Sequence, residues 1–352
     1  MTILVTGAAG FIGSNFVLNW FDQSQEVVVS LDLLTYAGNL KNLDSIKDSP
    51  FHHFVQGDIR NRSLLNLILK KYQPRAVFHF AAESHVDRSI HDASHFVDTN
   101  IVGTFSLLEE VRCYFNDLDI EHQKIFRLIH ISTDEVYGSL EPYEPKFIED
   151  SQYKPNSPYS ASKAASDHLM RAWHGTYNLP IITTHCSNNY GPYQFPEKLI
   201  PLMILHALSE KSLPIYGDGQ HTRDWLYVKD HVSALRCILE KGIVGEIYNI
   251  GGGNEKTNLE VVTKLCEILD ELRPRASKKS YRSLVTFIKD RPFHDKRYAI
   301  NSAKLEKTLG WKPEELFETG LRKTVTWFLE NPEWLDHILS SEYQNWTNQH
   351  YS

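Results

Sequence analysis

A chain of 352 residues exceeds what one packed core usually holds, so two lobes are expected, or one core with a large elaboration. Hydrophobic residues make up 41% and charged residues 23%, which argues against disorder. A net charge of -7 leaves no basic footprint for nucleic acid or an anionic membrane.

The chain opens Met-Thr-Ile-Leu-Val-Thr-Gly, a strand running into a turn, so no signal peptide is expected before the fold. Thr2–Thr6, Val27–Asp32, His53–Gln56, Ala76–Ala81, Phe126–Ser132 and Ile181–Cys186 are short β-branched or apolar runs that read as strands. Between them Phe11–Phe21, Ser63–Tyr72, Phe96–Arg112 and Ser160–Tyr177 carry the longer amphipathic pattern of helices. Strands alternating with helices predict βαβ units, hence a parallel sheet covered on both faces. After about Gly191 the pattern loosens. Leu213–Tyr216 and Trp225–Val228 read as short strands, Arg273–Arg282 as a solvated loop, and Asn301–Leu309 and Glu314–Glu330 as helices. The longest apolar stretch, Leu199–Leu208, is about half a membrane span. Cys113, Cys186, Cys237 and Cys266 lie far apart, which suggests neither a disulfide framework nor a cysteine zinc site. The expectation is a soluble, cytoplasmic protein.

Thr6-Gly7-Ala8-Ala9-Gly10-Phe11-Ile12-Gly13 sits between the first strand and the first helix. Gly7 suits a tight turn, Gly10 a close approach to a pyrophosphate, and Gly13 close packing of helix on strand. The helix N-terminus then offers free N–H groups and a positive dipole to phosphates. Asp32 ends the second strand about 20 residues on, where an acid holds ribose hydroxyls; its alternative role is to cap a loop. Leu33 and Leu34 follow, with no Arg to receive a 2′-phosphate, so NAD is favoured over NADP. Asp58-Ile59 suits the adenine edge, although Asp58 also reads as a helix-start residue. The fold expected is α/β: a Rossmann-type doubly wound parallel sheet with a smaller C-terminal substrate-binding lobe. Residues 1–190, with 223–254 and about 315–331, are assigned to the NAD-binding domain. Residues 191–222 and 255–314, with 332–352, are assigned to the smaller lobe.

Tyr159-Ser160-Ala161-Ser162-Lys163 places Tyr159 and Lys163 on one side of a helix. Free tyrosine has a pKa of about 10 and is a poor base at neutral pH. A neighbouring ammonium and a positive nicotinamide ring favour the phenolate. Taken alone, the pair also fits a partly buried tyrosine with a surface lysine. Ile131-Ser132-Thr133-Asp134-Glu135-Val136-Tyr137-Gly138 follows a strand, where ligands of such sheets sit. Thr133 is placed to bond a substrate hydroxyl. Residues adjacent along a strand point to opposite faces, so Asp134 and Glu135 serve one substrate only if the chain turns there. Acids of a surface loop are the alternative.

Together these motifs resemble the extended short-chain dehydrogenase/reductase superfamily and, within it, the nucleotide-sugar 4,6-dehydratases acting on dTDP-glucose. The likeness runs nearly end to end. It includes Leu34–Asn39, Ala81–Ser89, Ser187–Pro192, Phe195–Pro201, Arg223–Val228, Tyr248–Gly252 and Asp290–Asp295. The Thr-Asp-Glu triplet is its specific part, because relatives that only epimerise lack the acid pair. The resemblance implies that Tyr159, helped by Thr133 and Lys163, takes the proton of the sugar 4-hydroxyl while hydride passes to NAD. Glu135 then removes the C5 proton, Asp134 protonates the departing 6-hydroxyl, and hydride returns to C6. The acid pair should therefore have its pKa values pushed apart.

By position the resemblance assigns Gly7, Gly10, Phe11, Ile12, Gly13, Asp32, Leu33, Leu34, Thr35, Asp58, Ile59, Ala81, Ala82, Ser84, Thr99, Tyr159, Lys163 and Asn189 to NAD. It assigns Ser84, Thr133, Asn188, Lys198, Leu199, Pro214, Ile215, Tyr216, Arg223, Asn258, Asp290, Arg291 and His294 to the nucleotide sugar. Arg223 and Arg291 suit the charge of a pyrophosphate. One departure is Phe293, where the family carries Gly. His91 and His95 have helical spacing but no third ligand, so no metal is expected. Trp311, Trp327, Trp334 and Trp346 read as core or subunit-contact anchors. A homodimer is implied, joined through Phe96–Arg112 and Ser160–Tyr177. The alternatives are a nucleotide-sugar 4-epimerase, a 4,6-dehydratase acting on another nucleotide sugar, and a silent NAD-binding scaffold.

Overall fold

The structure is a computed structural model that describes residues 1–338; Trp346 and the rest of 339–352 lie outside the described residues. The first half runs β1 (Thr2–Thr6), α1 (Phe11–Gln23), β2 (Val27–Asp32), β3 (His52–Gln56), α2 (Arg62–Tyr72), β4 (Ala76–His79), α3 (Val86–His91) and α4 (Ser94–Phe96). A π-helical segment, Val97–Gly103, leads into α5 (Thr104–Asp117), α6 (Ile120–Ile125), β5 (Arg127–Thr133), a 3₁₀ turn Asp134–Tyr137, α7 (Pro158–Tyr177) and β6 (Ile181–Cys186). The second half holds β7 (Asn188–Tyr190), α8 (Leu199–Leu208), β8 (Leu213–Tyr216), β9 (Thr222–Tyr227), α9 (Val228–Lys241), β10 (Ile247–Ile250), β11 (Glu255–Thr257) and α10 (Asn258–Leu272). It ends with β12 (Val285–Ile288), α11 (Ala303–Leu309), α12 (Phe317–Glu330) and α13 (Pro332–Ile338).

Seven strands form one parallel sheet in the order β10-β6-β5-β4-β1-β2-β3. Helices cover both faces, so Ile3, Leu4 and Val5 are all fully buried and β1 reads as a continuous apolar run. On one face Phe16, Trp20, Leu235 and Leu239 pack against the strands; on the other, Leu65, Leu69, Leu107, Val111 and Met170 do so. Strand order reverses between β1 and β4, and the carboxyl ends there open the crevice in which such sheets bind ligands.

A third core joins α8, α10, α12 and α13 through Leu202, Val262, Leu265, Phe328 and Trp334. Its small sheets are β11-β9-β7 and β12-β8. This packing corrects the expected division of the chain at two places. Residues of α12 join the third core, because Phe317, Leu321, Val325 and Phe328 face α8 and α10. Conversely α11 and Trp311 pack on the large sheet, where Leu305 and Leu309 are buried and the Trp311 indole N–H donates to Ser233 at 2.8 Å. Trp327 and Trp334 lie 5.0 Å apart within the third core's aromatic cluster. Among the described residues no helix is long and apolar enough to cross a membrane.

Candidate active site

The glycine turn leaves β1 with Gly7 at φ +69°, its N–H donating to the Leu31 carbonyl at 2.8 Å. A Cβ at Gly7 would lie 2.6 Å from the Ala81 nitrogen, and one at Gly13 would lie 2.1 Å from the Gly7 oxygen. Both positions therefore exclude any side chain. A Cβ at Gly10 would meet nothing closer than 3.4 Å, so the protein itself does not demand glycine there. No side chain caps the N-terminus of α1, which leaves its N–H groups directed at the crevice. Asp32 lies at the end of β2 and accepts from Ala9 N at 2.9 Å and Leu34 N at 2.8 Å, tying the turn to the next loop. These features suit a dinucleotide: a tight turn, free helix N–H groups and a carboxylate on the adjacent strand.

The crevice is one cleft of about 440 Å³ between the large sheet and the third core. Gly7, Gly10, Phe11, Ile12, Gly13, Asp32, Leu33, Thr35, Asp58, Ile59, Ala81, Ala82, Ser84, Thr99, Tyr159, Lys163 and Asn189 all line it. So do Thr133, Asp134, Glu135, Asn188, Lys198, Leu199, Pro214, Ile215, Tyr216, Arg223, Asn258, Arg291 and His294. Two assigned residues do not. Leu34, at φ +57°, contributes its N–H to Asp32, and Asp290 turns to His294 and His221. Asp58 lines the cleft but is held by Arg60 at 2.7 Å, and Asn61 rather than Asp58 caps α2.

Helix α7 starts at a capping box of Ser157 and Ser160 with Pro158 in its first turn, which fixes where Tyr159 and Lys163 project. Tyr159 is buried against Phe96, with ring centroids 6.3 Å apart. Lys163 donates to the Ile131 carbonyl at 2.9 Å. Burial and the Glu135 charge push the Tyr159 phenol well above its ordinary value, with the Thr133 hydroxyl opposing. Among the protein's own groups burial dominates, so the phenol is held in its protonated form.

At the end of β5 the chain turns. Thr133 caps the 3₁₀ segment by accepting from Glu135 N at 3.3 Å, and Gly138, at φ +89°, closes it. That turn brings Asp134 and Glu135 to the same cleft. Asp134 is 2% exposed, and its Oδ2 has no hydrogen-bond partner among the described residues. Burial, then the charges of Glu135 and Asp224, push its carboxyl well up. Burial also raises Glu135, but Lys198, Arg291 and Arg223 oppose it. Asp134 therefore holds a proton more tightly than Glu135.

At the far end Arg223 is 5% exposed and donates to the Thr222 and Asp295 carbonyls at 2.8 and 2.9 Å, with no carboxylate in ion-pair range among the described residues. Arg291 pairs with Asp87 at 2.8 Å. Arg223, without an ion-paired carboxylate among the described residues, leaves this end of the pocket suited to an anion. His221, Asp290 and His294 form a cluster that sequence spacing did not reveal, because His221 comes from a loop about seventy residues before the one that carries Asp290 and His294. By distance the trio could hold a cation. However, His294 Nε2 accepts from Arg223 at 3.0 Å, which fixes its proton on Nδ1, donated to Asp290 at 2.6 Å, and leaves no lone pair for a metal. Asn100, Glu197 and Tyr298 were also missed: Glu197 and Tyr298 line the cleft, and Asn100 braces its wall through the Glu83 backbone.

Sheet, glycine turn and a Tyr–Lys pair on one helix define an extended short-chain dehydrogenase/reductase. The family model described as GDP-mannose 4,6 dehydratase matches residues 4–324, and the chain belongs to that family. It is 54% identical to dTDP-glucose 4,6-dehydratase of Salmonella typhimurium, over 100% of this chain and 99% of that protein. The crystal structure of dTDP-glucose 4,6-dehydratase from Bacillus anthracis in complex with NAD is 46% identical, with a TM-score of 0.85, covering 96% of this chain and 99% of that one. A UDP-glucose 4-epimerase from Thermotoga maritima shares the fold at a TM-score of 0.82 but only 28% identity, over 94% of this chain and 100% of that one.

Proposed function

We propose that this protein holds NAD and converts dTDP-glucose to dTDP-4-keto-6-deoxyglucose: oxidation at C4, loss of water across C5 and C6, reduction at C6. The observation that carries this reading is the acid pair on the turn after β5, one member buried with an unpartnered oxygen and the other facing cations. Bound NAD supplies the hydride acceptor for C4 and the hydride donor for C6. Gly7, Gly13 and the α1 N-terminus would cradle its pyrophosphate, and Asp32 its ribose. Tyr159, with Thr133, takes the proton of the 4-hydroxyl; the positive charge it needs to become phenolate comes from Lys163 and the oxidised nicotinamide. A 4-ketone acidifies the C5–H, and Glu135 is the carboxylate that removes this proton and returns one to C5 when C6 is reduced. Asp134, kept protonated by burial, gives its proton to the 6-hydroxyl as water leaves. Arg223 and Arg291 would hold the substrate pyrophosphate.

We further infer a cytoplasmic homodimer supplying dTDP-rhamnose and polysaccharide synthesis. Ile90, Val97, Val102 and Phe105 leave an apolar face on α3, the π-helical segment and α5 that a second copy would cover. Incubation with dTDP-glucose, UDP-glucose and GDP-mannose in parallel tests the substrate. A 4-keto-6-deoxy product, read by its absorbance in alkali, is expected from dTDP-glucose; an ordinary hexose would instead establish a 4-epimerase. Asp134→Asn and Glu135→Gln should each still oxidise C4, so that absorbance of the reduced cofactor builds up and persists. Wild-type product release by both variants would remove the acid pair from the mechanism.

A further inference from the structure

The Tyr159–Lys163 spacing continues one turn further to Asp167, so three ionisable side chains share one face of α7. Lys163 and Asp167 are each 4% exposed. Asp167 receives His130 Nε2 on Oδ1 at 3.1 Å, and His185 Nε2 and Ser132 Oγ on Oδ2, both at 3.0 Å. His185 is braced in turn by the Tyr137 hydroxyl at 2.7 Å and the Tyr153 hydroxyl at 3.0 Å. Neither Asp167 nor His130 nor His185 lines the cleft. A carboxylate this deeply buried and this fully bonded needs a reason to be charged.

Lys163, one turn away, is what that charge would serve. Tyr159 precedes it by one turn of the same helix, and its electrostatic neighbours are Asp167 on that helix, His79 and His130 on β4 and β5, and Cys186 on β6. Burial pushes His79 well down and His130 to about 4, so both are neutral, and it pushes the Cys186 thiol up to about 12. Burial also pushes the Asp167 carboxyl up, but hydrogen bonds from His130 and His185 overcome it and hold the group well below the usual carboxylate range. Asp167, one turn along α7 and beyond direct ion-pair range, is thus the anion whose field acts on Lys163 among the described residues. An ammonium buried with one carbonyl for company gives up its proton readily unless an opposite charge holds it.

We propose that Asp167 is a positioning residue for this chemistry, a buried counter-ion that keeps Lys163 protonated beside Tyr159 without touching substrate or cofactor. The inference rests on the function proposed above. Its test compares the pH dependence of kcat/KM for dTDP-glucose in the NAD-loaded wild type, Asp167→Asn and Asp167→Glu. The alkaline limb of Asp167→Asn should move to lower pH by about one unit or more, while Asp167→Glu keeps it near the wild-type position. An Asp167→Asn limb coincident with wild type overturns the proposal. Melting supplies a readout independent of turnover. Asp167→Asn leaves a buried cation unpaired, whereas Lys163→Met/Asp167→Asn removes both charges, so the double variant should melt above the single one. A double variant that melts no higher, or does not fold, shows that Asp167 serves the histidines rather than Lys163 and overturns the proposal. Wild-type protein that makes no product refutes the functional reading instead, and the melting comparison then decides the charge pair alone.

Discussion

Phe293 stands at φ +50°, in the left-handed region where a Cβ crowds the neighbouring carbonyl. Its ring is 87% exposed, so no packing offsets that strain. The same loop carries Arg291, paired with Asp87, and His294, bonded to Arg223, so the strain sits between two residues of the pocket. Phe293→Gly should relieve about 1 kcal/mol and raise the thermal midpoint; a lower midpoint would show that the ring makes a stabilising contact. Other single residues show how far a motif can be read. That Asp134 and Glu135 are adjacent is plain in the sequence, but in an extended strand they would point apart. The 3₁₀ turn that unites them was signalled only by Gly138, whose Cβ would lie 2.3 Å from the Lys154 oxygen. Asp290 belongs to the same short motif as Arg291 and His294, yet it faces His221 and His294 rather than the cleft. A motif names a residue and leaves its direction open.

The helix expected over Phe96–Arg112 is one element in its periodicity and several in space. α4 passes into the π-helical segment Val97–Gly103 before α5 begins. Apolar spacing barely registers the wider turn, because one extra residue shifts the pattern by less than the width of a buried stripe. The widening gives Asn100 room to brace the cleft wall: Oδ1 accepts from Glu83 N at 2.9 Å, and Nδ2 donates to the Glu83 carbonyl at 3.0 Å and to Ser162 at 2.8 Å. Asn100→Ala should leave the half-buried Glu83 backbone groups unpaired and cost about 1–3 kcal/mol in urea unfolding. A cost below about 0.5 kcal/mol would mean that water replaces the side chain. Six of the seven strands of the large sheet, all but the four-residue β10, were legible because burial on both faces favours short apolar or β-branched runs bounded by turns. β12 was not. Its Thr286 and Phe287 are exposed, and its partner β8 lies some seventy residues earlier, a pairing that no local pattern encodes. The exchanged allegiance of α11 and α12 has the same origin: each has an apolar face, and the sequence does not say which core receives it.

Across the whole molecule, burial of titratable groups sets how stability responds to pH, and two sets oppose each other. Burial holds His130 down to about 4 and His231 to about 3, and it lowers His79 and His85 well below the ordinary histidine range. For a group depressed in the folded state, the unfolded chain takes the proton first as pH falls. Stability from these histidines is therefore complete above about pH 6.5 and is lost as pH falls through their folded values. Glu197 and Asp224 act the other way: burial raises them to about 7 and about 6, so their contribution is present below about pH 4 and disappears as pH rises through those values. Burial also raises Asp32, Glu83, Asp134, Glu135 and Asp230, which join the opposing set. Urea unfolding should therefore show stability climbing less steeply from about pH 4.5 to about pH 6.5 than the four histidines alone would dictate. Glu197→Gln, which keeps an acceptor for Arg88 and presents an N–H to the Tyr36 hydroxyl but cannot titrate, should make the climb steeper between about pH 5 and 7 by removing one opposing group. An unchanged slope in that variant would show that Glu197 is ionised across the range, its charge compensated by Arg88 and Lys198 rather than discharged by burial.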